Sequence, residues 1–279
     1  MSELVRTAAA ALDAACRRFG EIDVLVAAAR FTQAHGCVPA ELVQDRGISF
    51  EDGTYVPLAR ELEREGRRFT PISLSLDDRA VLTGPNMGGK SVCLRTCAFV
   101  AVCAAFGVPV PARRARMTLF AEIAWLGAGA DADGGGLLSS FAREVVRLRD
   151  VLERNQAPSL LLLDEFARTT TPREGAALVV AVLTALRDRG AVALAATHLS
   201  GVAESAHVRH FAVRGLRGLP DRPETADLHA ALAALAASMD YTIAEVGSDS
   251  APGSDAVALA ELLGLDEAIV RSAYEALGG

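Results

Sequence analysis

The chain has 279 residues, 51% of them hydrophobic and 5% aromatic, enough for one large domain or a domain with an appendage, and too apolar for wholesale disorder. Its formal net charge of −7 lacks the basic balance of a free-standing nucleic-acid binder, although a local basic patch is compatible with it. No apolar run reaches the roughly 18–20 residues that span a bilayer, and no charged-then-apolar leader opens the chain, so the expectation is a cytoplasmic protein with no membrane partner.

Residues 3–34 read as helix, because Leu4, Ala8, Leu12, Ala15, Phe19, Ile22, Leu25, Val26 and Ala29 keep helical spacing. Gly20 divides that pattern into two helices or bends one. Residues 46–76 are mixed and turn-rich, with Glu51-Asp52-Gly53 and Glu65-Gly66, which predicts short antiparallel strands. From residue 80 the chain alternates: strand 80–82, helix 90–106, helix 140–155, strand 160–163, helix 174–189, strand 191–196. That order predicts a sheet wrapped by crossover helices. The Gly-rich stretch 127–136 reads as a loop; Asp131 and Asp133 lack the following Glu that a calcium loop needs. Residues 227–238 read as an Ala-rich helix between two strand-like pieces. Residues 247–254 read as a flexible connection, and 255–277 as two short helices turned at Gly264.

The five cysteines, Cys16, Cys37, Cys93, Cys97 and Cys103, are odd in number and form no C-x-x-C pair. They read as small core residues rather than a disulfide framework or a zinc site. Arg113, Arg114 and Arg116 form the one dense basic cluster and read as a solvated loop. His207 and His210 read as surface residues beside a strand.

Three segments carry chemistry. The first, Gly84-Pro85-Asn86-Met87-Gly88-Gly89-Lys90-Ser91, fits G-x-x-x-x-G-K-[ST] between a strand and a helix. Its glycines let backbone N–H groups converge on phosphate oxygens, and the helix start adds its positive end. Lys90 is placed to reach the β- and γ-phosphates and Ser91 to ligate Mg²⁺. Lys90 is also the only lysine among 28 basic residues; its compact ammonium fits a small anion nest where a planar guanidinium does not. The second segment is Leu160-Leu161-Leu162-Leu163-Asp164-Glu165, a buried strand ending in two acids. Asp164 is the expected Mg²⁺ partner and Glu165 the group that orients or deprotonates the attacking water. The third is Thr197-His198, which puts His198 at the end of the next strand, within range of a γ-phosphate or the lytic water. Together they predict an enzyme that binds ATP with Mg²⁺ and hydrolyses it to ADP and phosphate.

The spelling Thr83-Gly84-Pro85-Asn86-Met87-Gly88-Gly89-Lys90-Ser91 resembles the phosphate loop of the MutS family of mismatch-repair ATPases. Further resemblances follow in the same order: Val110-Pro111-Ala112, Ser139-Ser140-Phe141, the run from Asp164 to Thr171 with Gly175 after it, Ala196-Thr197-His198, and Ile269 to Ala273. Upstream, Ile22-Asp23-Val24-Leu25 is similar to the end of the helix that feeds the ATPase domain. The resemblance implies an α/β fold: a P-loop NTPase of ABC/MutS type, with a mostly parallel sheet flanked by helices. It implies a helical stub over 1–40, the ATPase domain over 41–246, and a connection with C-terminal dimerisation helices over 247–279. It also implies a head-to-tail homodimer in which Ser139 reaches the partner's γ-phosphate and residues 168–171 couple the two sites. Val92 stands next to the phosphate loop where the family has Thr, so one phosphate contact is lost. Thr169 replaces a glycine, and Phe69 to Ser73 departs from the family's adenine-contacting segment. The mismatch-reading, connector and clamp domains have no counterpart in these residues. Two roles follow: DNA mismatch repair or DNA-structure processing, with weak DNA binding by this chain alone, or remodelling of a protein partner such as a cobalamin-dependent aminomutase.

Overall fold

The computed structural model describes residues 2–85, 88–127, 140–154, 157–217, 234, 237–248 and 256–278. The expectations for Asn86, Met87 and Ser139, for most of 127–136 and 227–238, and for much of 247–254 fall outside those residues.

The first element is a single helix, α1 (Ser2–His35). Gly20 does not divide it; a mid-helix glycine costs only about 1 kcal/mol, and the point where its Cβ would lie is open space. A four-stranded sheet follows, ordered β1 (Glu41–Leu42), β5 (Arg114–Met117), β2 (Ile48–Gly53), β3 (Ile72–Leu76). The β2–β3 pair is antiparallel, as the turn-rich stretch predicts. Between them lies a helix that the sequence reading left out, α2 (Val56–Arg64). Asp52-Gly53 and Glu65-Gly66 do not interrupt a run of strands there; they bracket that helix, which carries Pro57 in its first turn.

The larger sheet has six strands in the order β10 (Met239–Val246), β9 (Arg209–Leu216), β4 (Arg79–Thr83), β8 (Ala191–Ala196), β7 (Ser159–Asp164), β6 (Glu122–Gly127). All neighbours are parallel except the β10–β9 pair. The four leucines of β7 show why the strand reads as a continuous apolar run. Leu160 and Leu162 face one core cluster, Leu161 and Leu163 the other, because successive side chains alternate across a sheet and both faces are covered. Each buried leucine contributes about 1.5–3 kcal/mol. The first face packs on α3 (Lys90–Ala105) and the four-stranded sheet, where Cys93, Cys97 and Cys103 sit as small core residues. The second packs on α4 (Ser140–Arg154), α5 (Pro172–Ala185) and α6 (Val202–Ala206).

Two short helices, α7 (Ala256–Leu262) and α8 (Glu267–Gly278), close the chain, turning at Gly264 with φ +85°. No helix among the described residues is long and apolar enough to cross a membrane.

The strand order positions the site. β4 leads through α3 toward the β6 edge, whereas β8 leads through α6 to β9 on the other side of β4. Connections therefore diverge at the carboxyl ends of β4 and β8, the crevice where open α/β sheets take their ligands.

Candidate functional site

Thr83 ends β4 and the phosphate loop begins one residue later. Gly84 has φ +150°, and a Cβ there would come within 3.0 Å of the Val213 Cβ on β9. Gly88 donates its N–H to the Pro85 carbonyl at 3.0 Å. Gly89 is the N-cap of α3, with φ +83° and no side chain to cap the helix. The first N–H groups of α3 therefore have no capping side chain, and they carry the helix's positive end. Those two features make the start of α3 a place for an anion.

Lys90 folds back under the loop. It is 5% exposed, and its ammonium donates to the Gly84 carbonyl at 2.9 Å and the Pro85 carbonyl at 3.1 Å. Burial lowers its pKa from the ordinary 10.5, while the Glu165 and Asp164 carboxylates oppose that shift. Ser91 Oγ donates to Asp164 Oδ1 at 2.8 Å, joining the two motifs across a strand, since β8 lies between β4 and β7. Asp164 is 6% exposed. Burial raises its pKa, the Ser91 hydrogen bond lowers it, and the neighbouring Glu165 charge raises it further. A buried, partly uncompensated carboxylate beside a hydroxyl is a hard-oxygen pair of the kind Mg²⁺ takes, with water completing its shell. Among the described residues no three His, Cys, Asp or Glu side chains gather into a denser metal cluster.

Glu165 leaves the end of β7 with φ +52°, and Ala167 follows at +61°. Two non-glycine residues in the left-handed region store on the order of 1–2 kcal/mol each. The turn is held by Glu165 N–H on the Ala196 carbonyl at 2.9 Å and by Ala167 N–H on the Glu144 carboxylate of α4 at 3.0 Å. Arg168 Nη1 reaches Glu165 Oε2 at 3.4 Å, and His198 Nδ1 stands 3.9 Å from Glu165 Oε1. An open cleft of about 510 Å³ is lined by Pro85, Gly88, Gly89, Lys90, Ser91, Val92, Glu165, Arg168 and His198. The structure thus brings three separate sequence motifs to one cleft, with Asp164 behind Ser91.

Two functional neighbours were not legible in advance. His210, expected at the surface, is 3% exposed. Its ring links Thr83 Oγ1 at 2.8 Å to the Gly247 carbonyl at 2.9 Å, so the end of β4 is tied to the chain beyond β10. With Nδ1 donating to that carbonyl, Nε2 accepts from the Thr83 hydroxyl. Tyr241 of β10 lays its ring edge 3.1 Å from the point a Gly89 Cβ would occupy. The β10–β9 register shifts between Asp240 and Ile243, and such an irregularity leaves no period-2 signal. His207 is exposed, as expected.

The Arg113–Arg116 cluster is not a loop. Arg114–Met117 is β5, with arginines on its exposed face and Ala115 and Met117 on the buried one. Arg113 pairs with Glu51 at 2.6 Å and Asp52 at 2.8 Å, and Arg116 lies 3.5 Å from Glu41.

The model of MutS domain V matches residues 80–278. The chain belongs to the MutS family. It is 36% identical to the DNA mismatch repair protein MutS of Brevibacillus brevis over 195 residues, which cover 67% of this chain and 22% of that protein. Against the DNA mismatch repair protein MutS of Natronomonas pharaonis it is 32% identical, over 99% of this chain and 30% of that protein. Against the endonuclease MutS2 of Carboxydothermus hydrogenoformans it is 34% identical, over 66% of this chain and 23% of that protein. The chain thus spans less than a third of the length of these relatives. The MutS domain V match takes in every strand and helix that forms the cleft, from β4 onward.

Proposed function

We propose that this chain is a Mg²⁺-dependent ATP hydrolase that works as a head-to-tail homodimer in DNA mismatch repair or DNA-structure processing. The observation that carries the reading is the Ser91–Asp164 hydrogen bond at 2.8 Å, which joins the phosphate loop to the acidic strand end beside Lys90, Glu165 and His198. In this reading the backbone of 84–89 cradles the phosphates and Lys90 turns from the Gly84 and Pro85 carbonyls to the β- and γ-phosphate oxygens. Ser91 and Asp164 would hold Mg²⁺, which would supply charge screening for the phosphoryl group. Glu165 takes a proton from the attacking water as the bond from the γ-phosphorus to its bridging oxygen breaks. Its two neighbours divide the remaining work: His198 contacts the γ-phosphate or the water, and Arg168 holds the carboxylate. Val92 lines the cleft without donating a hydrogen bond. Ser139 from a second subunit completes the γ-phosphate contacts, and the C-terminal helices help hold the dimer.

The DNA role rests on what the relatives are called. The ion pairing of Arg113 and Arg116 leaves little free positive charge there for duplex phosphates, so DNA binding by this chain alone is expected to be weak. The test is phosphate release from Mg-ATP by the purified chain, with and without mismatched duplex. Glu165→Gln should lower turnover by about 10²–10⁴-fold while keeping nucleotide binding, and Lys90→Ala should lose both. Turnover unchanged in either variant refutes the assignment. Stimulation absent with DNA but present with a protein partner moves the ATPase from DNA processing to protein remodelling.

A further inference from the structure

The ATPase reading does not account for α1. Leu12, Phe19, Ile22 and Val26 on this 34-residue helix are 53, 73, 58 and 41% exposed. Among the described residues no other element lies in extended contact with it. Such a helix gains most of its stability from packing an apolar face, since propensity alone leaves it marginal. One set of its apolar residues is in phase, with Val24 and Leu25, 65 and 69% exposed, lying beside it. Ala8, Leu12, Ala15, Phe19, Ile22, Val26 and Ala29 recur at alternating steps of four and three. That is the a/d spacing of a coiled coil, sustained over three heptads. Gly20 falls outside the seam, and the Arg17–Asp13 ion pair sits on the outer face.

We propose that α1 pairs with α1 of a second copy of this chain as a parallel, in-register coiled coil. Charge selects that arrangement over its alternatives. In a parallel pair each g residue faces the e residue five positions later on its partner. Arg18 then meets the partner subunit's Asp23, twice by symmetry. The flanking pairs, Ala11 with the partner's Cys16 and Leu25 with the partner's Arg30, bring no like charges together. An antiparallel pair that stacks the same apolar layers, Leu12 on the partner's Ile22 and Phe19 on the partner's Ala15, sets Arg18 against the partner's Arg18. A slip of one heptad sets Arg18 of one helix against the partner's Arg30. At its end α1 leads into the body of the protein, where Cys37 is buried and Val38 forms a β-bridge with Val110. A parallel pair therefore places both ATPase bodies at the same end of the coil. The proposal stands without nucleotide and without the ATPase reading.

Sedimentation equilibrium of the full chain, free of nucleotide, should give twice the chain mass of 29.2 kDa. Leu12→Asp with Phe19→Asp should return it to 29.2 kDa, with a cooperative melt showing that the body stays folded. In a Cys16→Ser background, Ala15→Cys at the seam should form an interchain disulfide under mild oxidation, and Ala14→Cys should not. Arg18→Glu should weaken the dimer by about tenfold, and adding Asp23→Arg should restore it. A monomeric parent chain overturns the proposal, as does a dimer indifferent to the double aspartate variant, which would be held by another face. Equal cross-linking at 14 and 15, or no effect of Arg18→Glu, overturns the parallel register.

Discussion

Gly127→Ala is the sharpest probe of how the sheet supports the site. Gly127 ends β6 as the register partner of Asp164, with φ +132°. A Cβ there would lie 2.0 Å from the Asp164 carbonyl oxygen and 2.8 Å from its carbonyl carbon. Both atoms are backbone, so no side-chain rotation relieves the overlap. The backbone conformation alone costs a non-glycine residue about 1–3 kcal/mol, and displacing a packed strand end adds about 1–3 more. The sum, roughly 2–6 kcal/mol, is a large share of the roughly 5–15 kcal/mol that holds a domain folded. Gly66→Ala is the matched control, because φ is +72° there but nothing lies within 4 Å of the new Cβ; its cost should be about 1–2 kcal/mol. Urea unfolding followed by circular dichroism measures both. Gly127→Ala should also weaken Mg-ATP binding, since the strand end that moves carries Asp164. A difference below about 1 kcal/mol between the two variants would refute the β6–β7 register and the close approach derived from it.

The buried acid gives a pH signature. The folded state raises the Asp164 pKa from its ordinary 3.8, so the folded chain favours the protonated form and carries the ionised one at a cost. Asp164→Asn should therefore melt higher than the parent at neutral pH in EDTA. That advantage should shrink as pH falls through the folded pKa and vanish below 3.8; a constant or reversed difference contradicts the burial argument. His210→Leu should cost about 2 kcal/mol by leaving the Thr83 hydroxyl and the Gly247 carbonyl without their buried partner, measured by thermal melting. An unaffected melting temperature would mean that this bridge does not hold the end of β4. Glu165→Gln completes the set as the variant that separates nucleotide binding from turnover.

The parts of the fold that could be read in advance are those with a strong local period or a dense motif. β7 and β8 are apolar runs of the right length, and α3 and α4 are helices with clear bounds. The cleft was legible because its chemistry concentrates in three short motifs, each at the carboxyl end of a strand. What escaped was set by pairing rather than by pattern. β5 shows the arginines of an alternating strand, and alternation over four residues is easily taken for a loop. The start of α5 at Pro172 rather than Glu174 was available in the sequence. Thr171 caps the helix and hydrogen-bonds the Glu174 carboxylate at 2.7 Å, which is the capping-box spacing. His210 and Tyr241 had no such signal, because their roles depend on β9 lying beside β4 and on a register shift in β10 that no local rule places.

The solitary lysine also makes the chain an unusually simple substrate for amine-directed reagents and lysine-specific proteases. Such a protease has one target bond, between Lys90 and Ser91, and cuts the unfolded polypeptide into two pieces. In the folded state that bond lies at the start of α3, with Lys90 5% exposed and its ammonium on the Gly84 and Pro85 carbonyls. An acylating reagent therefore has one side-chain amine to find, and it is covered. The rate of labelling at that amine in the folded chain relative to the unfolded one, read by mass spectrometry, reports how often the phosphate loop opens, without any engineered probe.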